Sequence, residues 1–219
     1  MRFSEKEAVM KLFSMDGKLL DYFNKITDLV TLNLLWLLCC LPVFTIGAST
    51  SALYQVTLQM AENKDSYISK SFFKAFRENF RQATIIGLIC FFLSAILLCD
   101  LFIVSHFFSS TQMAFMTILV LFLGFLLISG LVYFFPVIAY FKNSTKKIFV
   151  NSFGLAFSHP VTTLQLLLLS LIPVITGMLF RSNMILGSFL FVIIVPAATA
   201  FFQSVLLARL FQNVQVLVQ

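Results

Sequence analysis

The chain has 219 residues, of which 60% are hydrophobic and 11% are charged, and its formal net charge at pH 7 is +6. Soluble globular domains carry about 25% charged residues, so this composition excludes a soluble enzyme, a secreted disulfide scaffold and a disordered tail. It predicts an all-α polytopic membrane protein whose single domain contacts the lipid bilayer. The basic residues border apolar runs, as the positive-inside rule describes, so the net charge does not indicate a nucleic-acid partner.

Charged residues mark where membrane spans end, because a charge is costly at bilayer depth. The charge-free runs are 29–61, 82–99, 101–141, 148–180 and 182–208. Since a spanning helix needs about 20 residues, the last four runs predict four spans, which together occupy 82–219. The polar stretch 105–112 is the predicted turn between the first two of these spans, and Pro160 precedes the start of the third.

The first run, 29–61, follows a charged segment, 1–28, that is predicted to be cytoplasmic or interfacial. As one helix the run would be about 50 Å long, which is too long for one upright crossing and too short for two complete ones. Pro42 removes a backbone donor and Gly47 loosens the chain, so the helix is predicted to break between its halves. The result is a hairpin, either of two short crossings or re-entrant.

The distribution of Lys and Arg supports this hairpin. A hairpin places the basic segments 1–28 and 62–81 on one side of the membrane, whereas a single crossing would separate them. With the hairpin, thirteen Lys and Arg residues precede the last span on the cytoplasmic side, and only Arg181 lies outside. The positive-inside rule therefore predicts five to six transmembrane helices with both termini in the cytoplasm.

The clearest amphipathic helix of the sequence is predicted at 69–82. On a helical wheel its phenylalanines share one face, and four basic residues share the adjacent face. These residues are Phe72, Phe76 and Phe80 on the first face and Lys70, Lys74, Arg77 and Arg81 on the second. Such a helix lies in the headgroup layer with its rings toward lipid and its charges toward anionic headgroups or solvent. It is predicted either to anchor the next span or to dock a cytoplasmic partner.

A weak internal sequence similarity involves the same segment. A shift of 77 residues superimposes four residues that precede one span on four that precede another: Lys70, Phe72, Phe76 and Phe80 on Lys147, Phe149, Phe153 and Phe157. Internal symmetry is common in transporter folds, but phenylalanine is frequent here, with 28 copies. Duplication and coincidence therefore both stay open.

Breaks inside the spans are the candidate ligand-binding positions, because unwound helices expose backbone groups near the midplane. Small residues follow two of the prolines, at 47–52 and 197–200. Small residues also let helices pack closely without any ligand, so both interpretations stay open. The candidate substrate path comprises Pro42, Gly47, Ser51, Gln55, Pro196 and Gln203.

The sequence offers no catalytic set. Its four cysteines lie within or at the ends of apolar runs, without C-x-x-C or zinc spacing. Asp100 is the one acid within a long apolar stretch, which makes it a functional hypothesis, and His106 does not share its helix face. No nucleophile, base and orienting acid can be assembled. We therefore predict no catalytic residue, metal site or cofactor, and we expect that the protein is not an enzyme.

A resemblance to the YesL-like family of uncharacterised bacterial membrane proteins is carried by 28–60 (DLVTLNLLWLLCCLPVFTIGASTSALYQVTLQM) and 71–83 (SFFKAFRENFRQA). It extends to 135–144 (FPVIAYFKNS) and 151–157 (NSFGLAF). The resemblance implies a multi-span protein of the bacterial plasma membrane, often encoded beside carbohydrate importers of the ATP-binding-cassette (ABC) type and glycan-degrading enzymes. It implies no catalytic residue.

These observations favour a non-enzymatic component of carbohydrate uptake, either an accessory subunit associated with an ABC importer or a small transporter. An ordinary importer permease is disfavoured because 62–81 and 142–160 contain no EAA-like motif for docking an ATPase. The alternative is a membrane-embedded sensor or assembly factor that docks a cytoplasmic partner through the 69–82 helix.

Overall fold

The computed structural model describes residues 23–64, 67–107, 110–141, 143–180 and 185–218. Within these ranges every regular element is helical: α1 (Phe23–Cys40), a 3₁₀ turn (Val43–Thr45), α2 (Ile46–Ala61), α3 (Ile68–Phe107), α4 (Ser110–Tyr140), α5 (Thr145–Ser158), α6 (Pro160–Phe180) and α7 (Ile185–Val218). Among the described helices, α1, α3, α4, α6 and α7 are long and apolar enough to cross a membrane. The predicted all-α polytopic fold is confirmed. Most of the predicted segment 1–28, and Arg181, lie outside the described residues.

The first apolar run folds as a hairpin, as the sequence predicts. α1 ends just before Pro42, and the Thr45 hydroxyl donates to the carbonyl oxygens of Cys39 and Pro42, both at 2.6 Å. The two helices then run antiparallel, because Trp36 on α1 donates to the Thr50 hydroxyl oxygen on α2 at 3.3 Å. Pro42 therefore lies at the turn, where its missing N–H costs no helical hydrogen bond.

The short helix α2 occupies the centre of the bundle. Its 16 residues correspond to about 24 Å, less than the length that a full crossing needs. It packs against α3, α4 and α7 as well as α1. Nine of its residues are buried: Gly47, Ala48, Ser49, Ser51, Ala52, Leu53, Val56, Thr57 and Leu58. The second half of the hairpin is therefore surrounded by protein rather than by lipid.

α2 and α3 cross at very close range. A Cβ atom at Gly47 would lie 2.3 Å from the carbonyl oxygen of Ala83 and 3.3 Å from the Cα atom of Gly87. Small residues at such a crossing let the two backbones approach and gain van der Waals contacts. Gly47 lies in the first turn of α2, and it serves helix packing there rather than the chain reversal.

The structure corrects the predicted position of the aromatic face of 69–82. This segment is the first part of α3, one uninterrupted helix of 40 residues, and is not a separate helix. Phe72 is fully buried in a cluster that includes Leu32 of α1 and Leu53 of α2. The physical reason is that the hairpin lies alongside this part of α3 and covers the ring with protein. Phe80 remains exposed.

α5 folds back against α4 and is separated from α6 by a break. The ring of Phe149 lies 4.8 Å from that of Phe134 on α4, at a steep angle. At the break, Pro160 cannot donate to the carbonyl of Ala156, and the Thr163 hydroxyl donates to that oxygen instead, at 2.9 Å. The side chain of Thr163 therefore stabilises the start of α6.

The 77-residue shift also relates helix boundaries. It moves Ile68, the first residue of α3, onto Thr145, the first residue of α5, and it moves α4 onto α7. It also superimposes Phe134 on Phe211, and both side chains are buried. The two sets differ because α3 is continuous, whereas α5 and α6 are separate helices. We call α3 with α4 the first unit and α5 with α6 and α7 the second unit; duplication and coincidence both stay open.

Basic segments meet at one end of the bundle. The Tyr140 hydroxyl at the end of α4 donates to the carboxylate of Glu62, which follows α2, at 3.3 Å. The Tyr140 ring also lies 4.9 Å from the ring of Phe211 on α7. Glu62 forms an ion pair with Lys64, and its carboxylate raises the pKa of Lys64 above the ordinary value. We call this end, which holds the α2–α3 and α4–α5 connections, the basic end.

Candidate functional site

A cavity of about 570 Å³ lies between α1, α2, α4, α6 and α7. A contact between α4 and α6 at Tyr133 and Thr163 lies between most of the cavity and the basic end. The lining residues of α6 and three of the four on α4 lie farther from that end than this contact, and Phe135 lies nearer to it. Most of the lining is apolar. Its polar groups come from Trp36, Thr50, Tyr54, Ser170, Thr199 and Gln203. None of the described residues that line the cavity is charged.

Two prolines face the cavity from neighbouring helices. Pro173 lies inside α6 and Pro196 inside α7, and both line the cavity. α6 and α7 run antiparallel at the same level, since the Gln203 side-chain amide of α7 donates to the carbonyl of Leu166 on α6 at 3.1 Å. A proline inside a helix leaves the carbonyl four residues earlier without its usual donor. The cavity is therefore built where two adjacent helices are weakened.

Hydrogen bonds hold the cavity walls together. The Tyr54 hydroxyl of α2 donates to the Gln203 side-chain oxygen of α7, and Gln203 in turn binds α6. Trp36 links α1 to α2 through Thr50. Hydrogen bonds between side chains in an apolar environment contribute about 1 kcal/mol each. These contacts fix the relative positions of four helices around the cavity.

Buried polar pairs close the cavity toward the basic end. Thr57 of α2 and Ser204 of α7 share a hydrogen bond of 2.7 Å, and both are fully buried. Tyr133 and Thr163 share another, of 3.0 Å, between α4 and α6. Tyr133 is the donor, because the single hydroxyl hydrogen of Thr163 is directed to a backbone carbonyl. In this conformation each of these four side chains has a hydrogen-bond partner in the packed layer between the cavity and the basic end.

The predicted substrate path coincides with the cavity only in part. Pro196 and Gln203 line it. The other predicted residues lie in the α1–α2 turn or on α2, outside the cavity lining: Pro42, Gly47, Ser51 and Gln55. Gln55 accepts a hydrogen bond from the side-chain amide of Asn79 on α3, at 2.9 Å. Gln55 thus links two helices, one of the roles that polar residues take in membrane proteins.

Sequence reasoning missed several cavity residues, although one signal could have found part of them. Pro196, Thr199 and Gln203 are separated by three and four residues, the spacing of one helical face. The same spacing relates Thr50 to Tyr54. Two such polar faces on apolar helices indicate a shared polar surface. Trp36 carries no comparable signal, because a single tryptophan in an apolar run is equally typical of lipid contact.

A second candidate surface lies on α3. Its basic residues Lys70, Lys74, Arg77 and Arg81, which we call the basic stripe, are all exposed and follow one helix face. The next residue, Gln82, donates to the carbonyl of Asn143 in the α4–α5 connection at 2.8 Å. That connection leads to two further exposed lysines, Lys146 and Lys147. Basic groups from α3 and α5 are thereby brought close to each other.

The predicted contact residues of this helix separate into two groups. The basic stripe and Phe80 are exposed and can meet a partner or lipid. Phe72 cannot do so in this conformation, because its ring is buried among helices, and Phe76 is half-buried. Any contact surface here is therefore more cationic and less aromatic than the sequence predicts.

The remaining titratable residues of the apolar region lie apart from the cavity. Asp100 is half-buried in α3, and His106 is exposed near the end of that helix with its Nδ1 atom 2.9 Å from the carbonyl oxygen of Phe102. Neither side chain lines the cavity. In the ranges that the structure describes, no group of three or more His, Cys, Asp or Glu side chains is placed to hold a metal ion.

The five long apolar helices define a multi-pass, all-helical membrane protein. The chain matches the family described as "Protein of unknown function, DUF624" over residues 29–101, which include α2 and most of α1 and α3. It is 28% identical over 205 residues to the uncharacterized protein YesL of Bacillus subtilis (strain 168), covering 90% of this chain and 95% of that protein. These matches confirm the resemblance to the YesL-like family.

A second relative is similar over a shorter stretch. The uncharacterized protein YteU of the same bacterium is 28% identical over 161 residues, which cover 70% of each chain. No solved structure is significantly similar to the chain. The comparisons therefore give the family and leave the activity to be argued from the site.

Proposed function

We propose that this protein is a non-enzymatic membrane component of carbohydrate uptake, either a small transporter or an accessory subunit of an ABC importer, and that it binds its ligand in the cavity. The observation that carries the proposal is the cavity itself. Its volume of about 570 Å³ lies within the range of roughly 300–1,000 Å³ that is typical of small-molecule sites. Its location between helices of a bundle is also typical of such sites.

The lining suits a ligand with apolar faces and polar edges. Trp36 and Tyr54 supply flat aromatic surface, and Thr50, Ser170, Thr199 and Gln203 supply hydroxyl and amide groups. A sugar ring presents C–H groups on its faces and hydroxyl groups at its edge, so it complements both kinds of group. An apolar lining with a few placed polar groups is the usual composition of a specific ligand site.

The proposal includes an orientation in the bacterial plasma membrane. The basic end carries basic residues from three places: Lys64 after α2, Lys146 near the start of α5 and Arg209 in α7. The positive-inside rule predicts that such residues face the cytoplasm. Both termini are then cytoplasmic. The cavity, which lies beyond the contact of Tyr133 with Thr163, is in the outer half of the protein. A ligand would therefore enter from the cell exterior.

Filling the cavity should abolish ligand binding without disturbing the fold. Ser170 is half-buried at the cavity, so the phenyl ring that Ser170→Phe introduces would occupy part of the cavity volume. We expect at least one neutral mono- or oligosaccharide to raise the thermal unfolding midpoint of the wild-type protein in detergent by several degrees, because a ligand that binds only the folded state stabilises it. The same sugar should leave the midpoint of Ser170→Phe unchanged.

Val174→Phe is the matched control for this experiment. Val174 lies on the same helix and is exposed, so its enlargement should leave the effect of the sugar intact. Equal stabilisation of both variants would show that the sugar binds elsewhere, and no stabilisation by any sugar would contradict the proposal. Sugar flux in liposomes that contain the purified protein alone would then separate a transporter from an accessory subunit.

The alternative function, a sensor or assembly factor, is favoured by the exposure of the basic stripe. Reversing two of its charges with Lys74→Glu and Arg77→Glu should release a cytoplasmic partner with acidic groups, because like charges at an interface repel. We expect recovery of the partner in mild detergent to fall at least tenfold, while membrane insertion is unchanged.

The control for charge reversal is the pair Lys146→Glu and Lys147→Glu on α5, which changes the net charge equally. If both double variants lose the partner to the same extent, either the total charge matters or the docking surface includes α5, and the basic stripe alone is not the docking site. If neither variant loses it, the docking role of 69–82 is wrong.

A further inference from the structure

Of the six polar side chains that line the cavity, all but Thr50 use hydrogen-bond donors within the protein itself. The Ser170 hydroxyl donates to the carbonyl of Leu167 at 2.7 Å, and the Thr199 hydroxyl donates to that of Val195 or Pro196 at 3.0 or 2.9 Å. The Trp36 N–H and the Tyr54 hydroxyl are bound to side chains of the wall, as described above. Of the two amide hydrogens of Gln203, one is bound to Leu166. Little donor capacity is left for a ligand on these five side chains.

Acceptor capacity, in contrast, is left over. A hydroxyl oxygen that donates its hydrogen retains lone pairs, so Ser170, Thr199 and Tyr54 can each still accept. These three side chains all line the cavity.

The charge of the lining adds a second restriction. Within the described residues, neither a basic nor an acidic side chain lines the cavity. An anion there would meet acceptor lone pairs without a compensating cation, and an isolated charge is expensive to remove from water. A cation would meet suitable dipoles but no carboxylate. An uncharged group that supplies several O–H donors satisfies the lining without either cost.

We infer that the cavity selects an uncharged polyhydroxyl ligand and discriminates against the corresponding acid. This inference rests on the proposed function, and it names the substrate class: neutral sugars rather than uronic acids. The chemical difference is a single group, because a uronic acid carries a carboxylate where the neutral sugar carries a CH₂OH group. The two can therefore be compared on the same ring.

Tryptophan fluorescence offers a direct readout, since Trp36 is the only tryptophan of the chain and lines the cavity. The full-length protein in mild detergent would be titrated with matched pairs: methyl glucoside with methyl glucuronide, and methyl galactoside with methyl galacturonide. We expect at least one neutral sugar to change the emission of Trp36 at a concentration at least tenfold lower than its acidic counterpart. Ser170→Phe should abolish the response, and Val174→Phe should retain it.

Each outcome decides something different. A uronide that acts at an equal or lower concentration than its neutral counterpart overturns the inferred selectivity and leaves ligand binding in the cavity intact. No response to any of the four compounds, together with no thermal stabilisation by the wider sugar panel, contradicts the proposed function and the inference with it.

Discussion

Gly47→Ala is expected to destabilise the protein by about 3 kcal/mol or more, although it adds only one methyl group. Overpacking in a tightly packed interior usually costs about 1–3 kcal/mol, and more where the neighbours cannot move. The added Cβ atom would lie 2.3 Å from the carbonyl oxygen of Ala83, which belongs to a helix backbone rather than to a flexible side chain. α2 and α3 would have to separate, and α2 is the central helix of the bundle.

The measurement is equilibrium unfolding in mixed micelles of a mild detergent and sodium dodecyl sulfate. Gly124→Ala is the matched control, because no atom lies within 4 Å of a Cβ atom built at Gly124 on α4. Alanine favours a helix over glycine by about 1 kcal/mol, so this variant should be as stable as the wild type or slightly more stable. Similar stabilities of the two variants would contradict the close crossing.

The spans could be predicted from the sequence because charge is so costly in a membrane. The turn between α3 and α4 falls within the predicted polar stretch 105–112, since α3 ends at Phe107 and α4 begins at Ser110. Pro42 likewise marks the α1–α2 turn, because proline ends helices for local steric reasons. These features depend on neighbouring residues alone, and local sequence is sufficient to identify them.

The cavity could not be predicted in the same way, because it depends on contacts between distant parts of the chain. Tyr54 and Gln203 are 149 positions apart and meet only after α2 has packed against α7. The proline and small-residue pattern drew attention to Pro196, which lines the cavity, and gave equal weight to Gly47, which lies at the close crossing of α2 and α3. A close crossing and a binding cavity use the same residue types, and the partner helix decides between the two.

Both units related by the 77-residue shift contribute to the cavity. α4 belongs to the first unit, and α6 and α7 belong to the second. All three line the cavity, together with the hairpin. Transporters built from repeats typically bind their ligands near the interface between the repeats. A duplication origin of the two units would therefore agree with ligand binding in the cavity.

Phe72→Ala is expected to lower the free energy of unfolding by about 3–5 kcal/mol, the usual cost of removing a buried aromatic ring and leaving a cavity. Phe73→Ala is its matched control, because the adjacent ring is 53% exposed, whereas that of Phe72 is 0% exposed. Both substitutions remove the same atoms from the same turn of α3, so differences in helix propensity cancel. Equilibrium unfolding in mixed micelles measures both.

The comparison separates two arrangements of the 69–82 segment that the sequence permits. If the aromatic face lay in the headgroup layer, both rings would contact lipid and both substitutions would have similar, small effects on unfolding. If Phe72 packs between α1 and α2, its loss removes contacts with Leu32, Leu53 and Val56, and lipid chains cannot replace them inside the bundle. A stability difference below about 1 kcal/mol between the two variants would therefore indicate that the ring of Phe72 contacts lipid. It would contradict the packing of the hairpin against α3. A large difference would show that the ring of Phe72 is not available to a partner, whereas the basic stripe and Phe80 are.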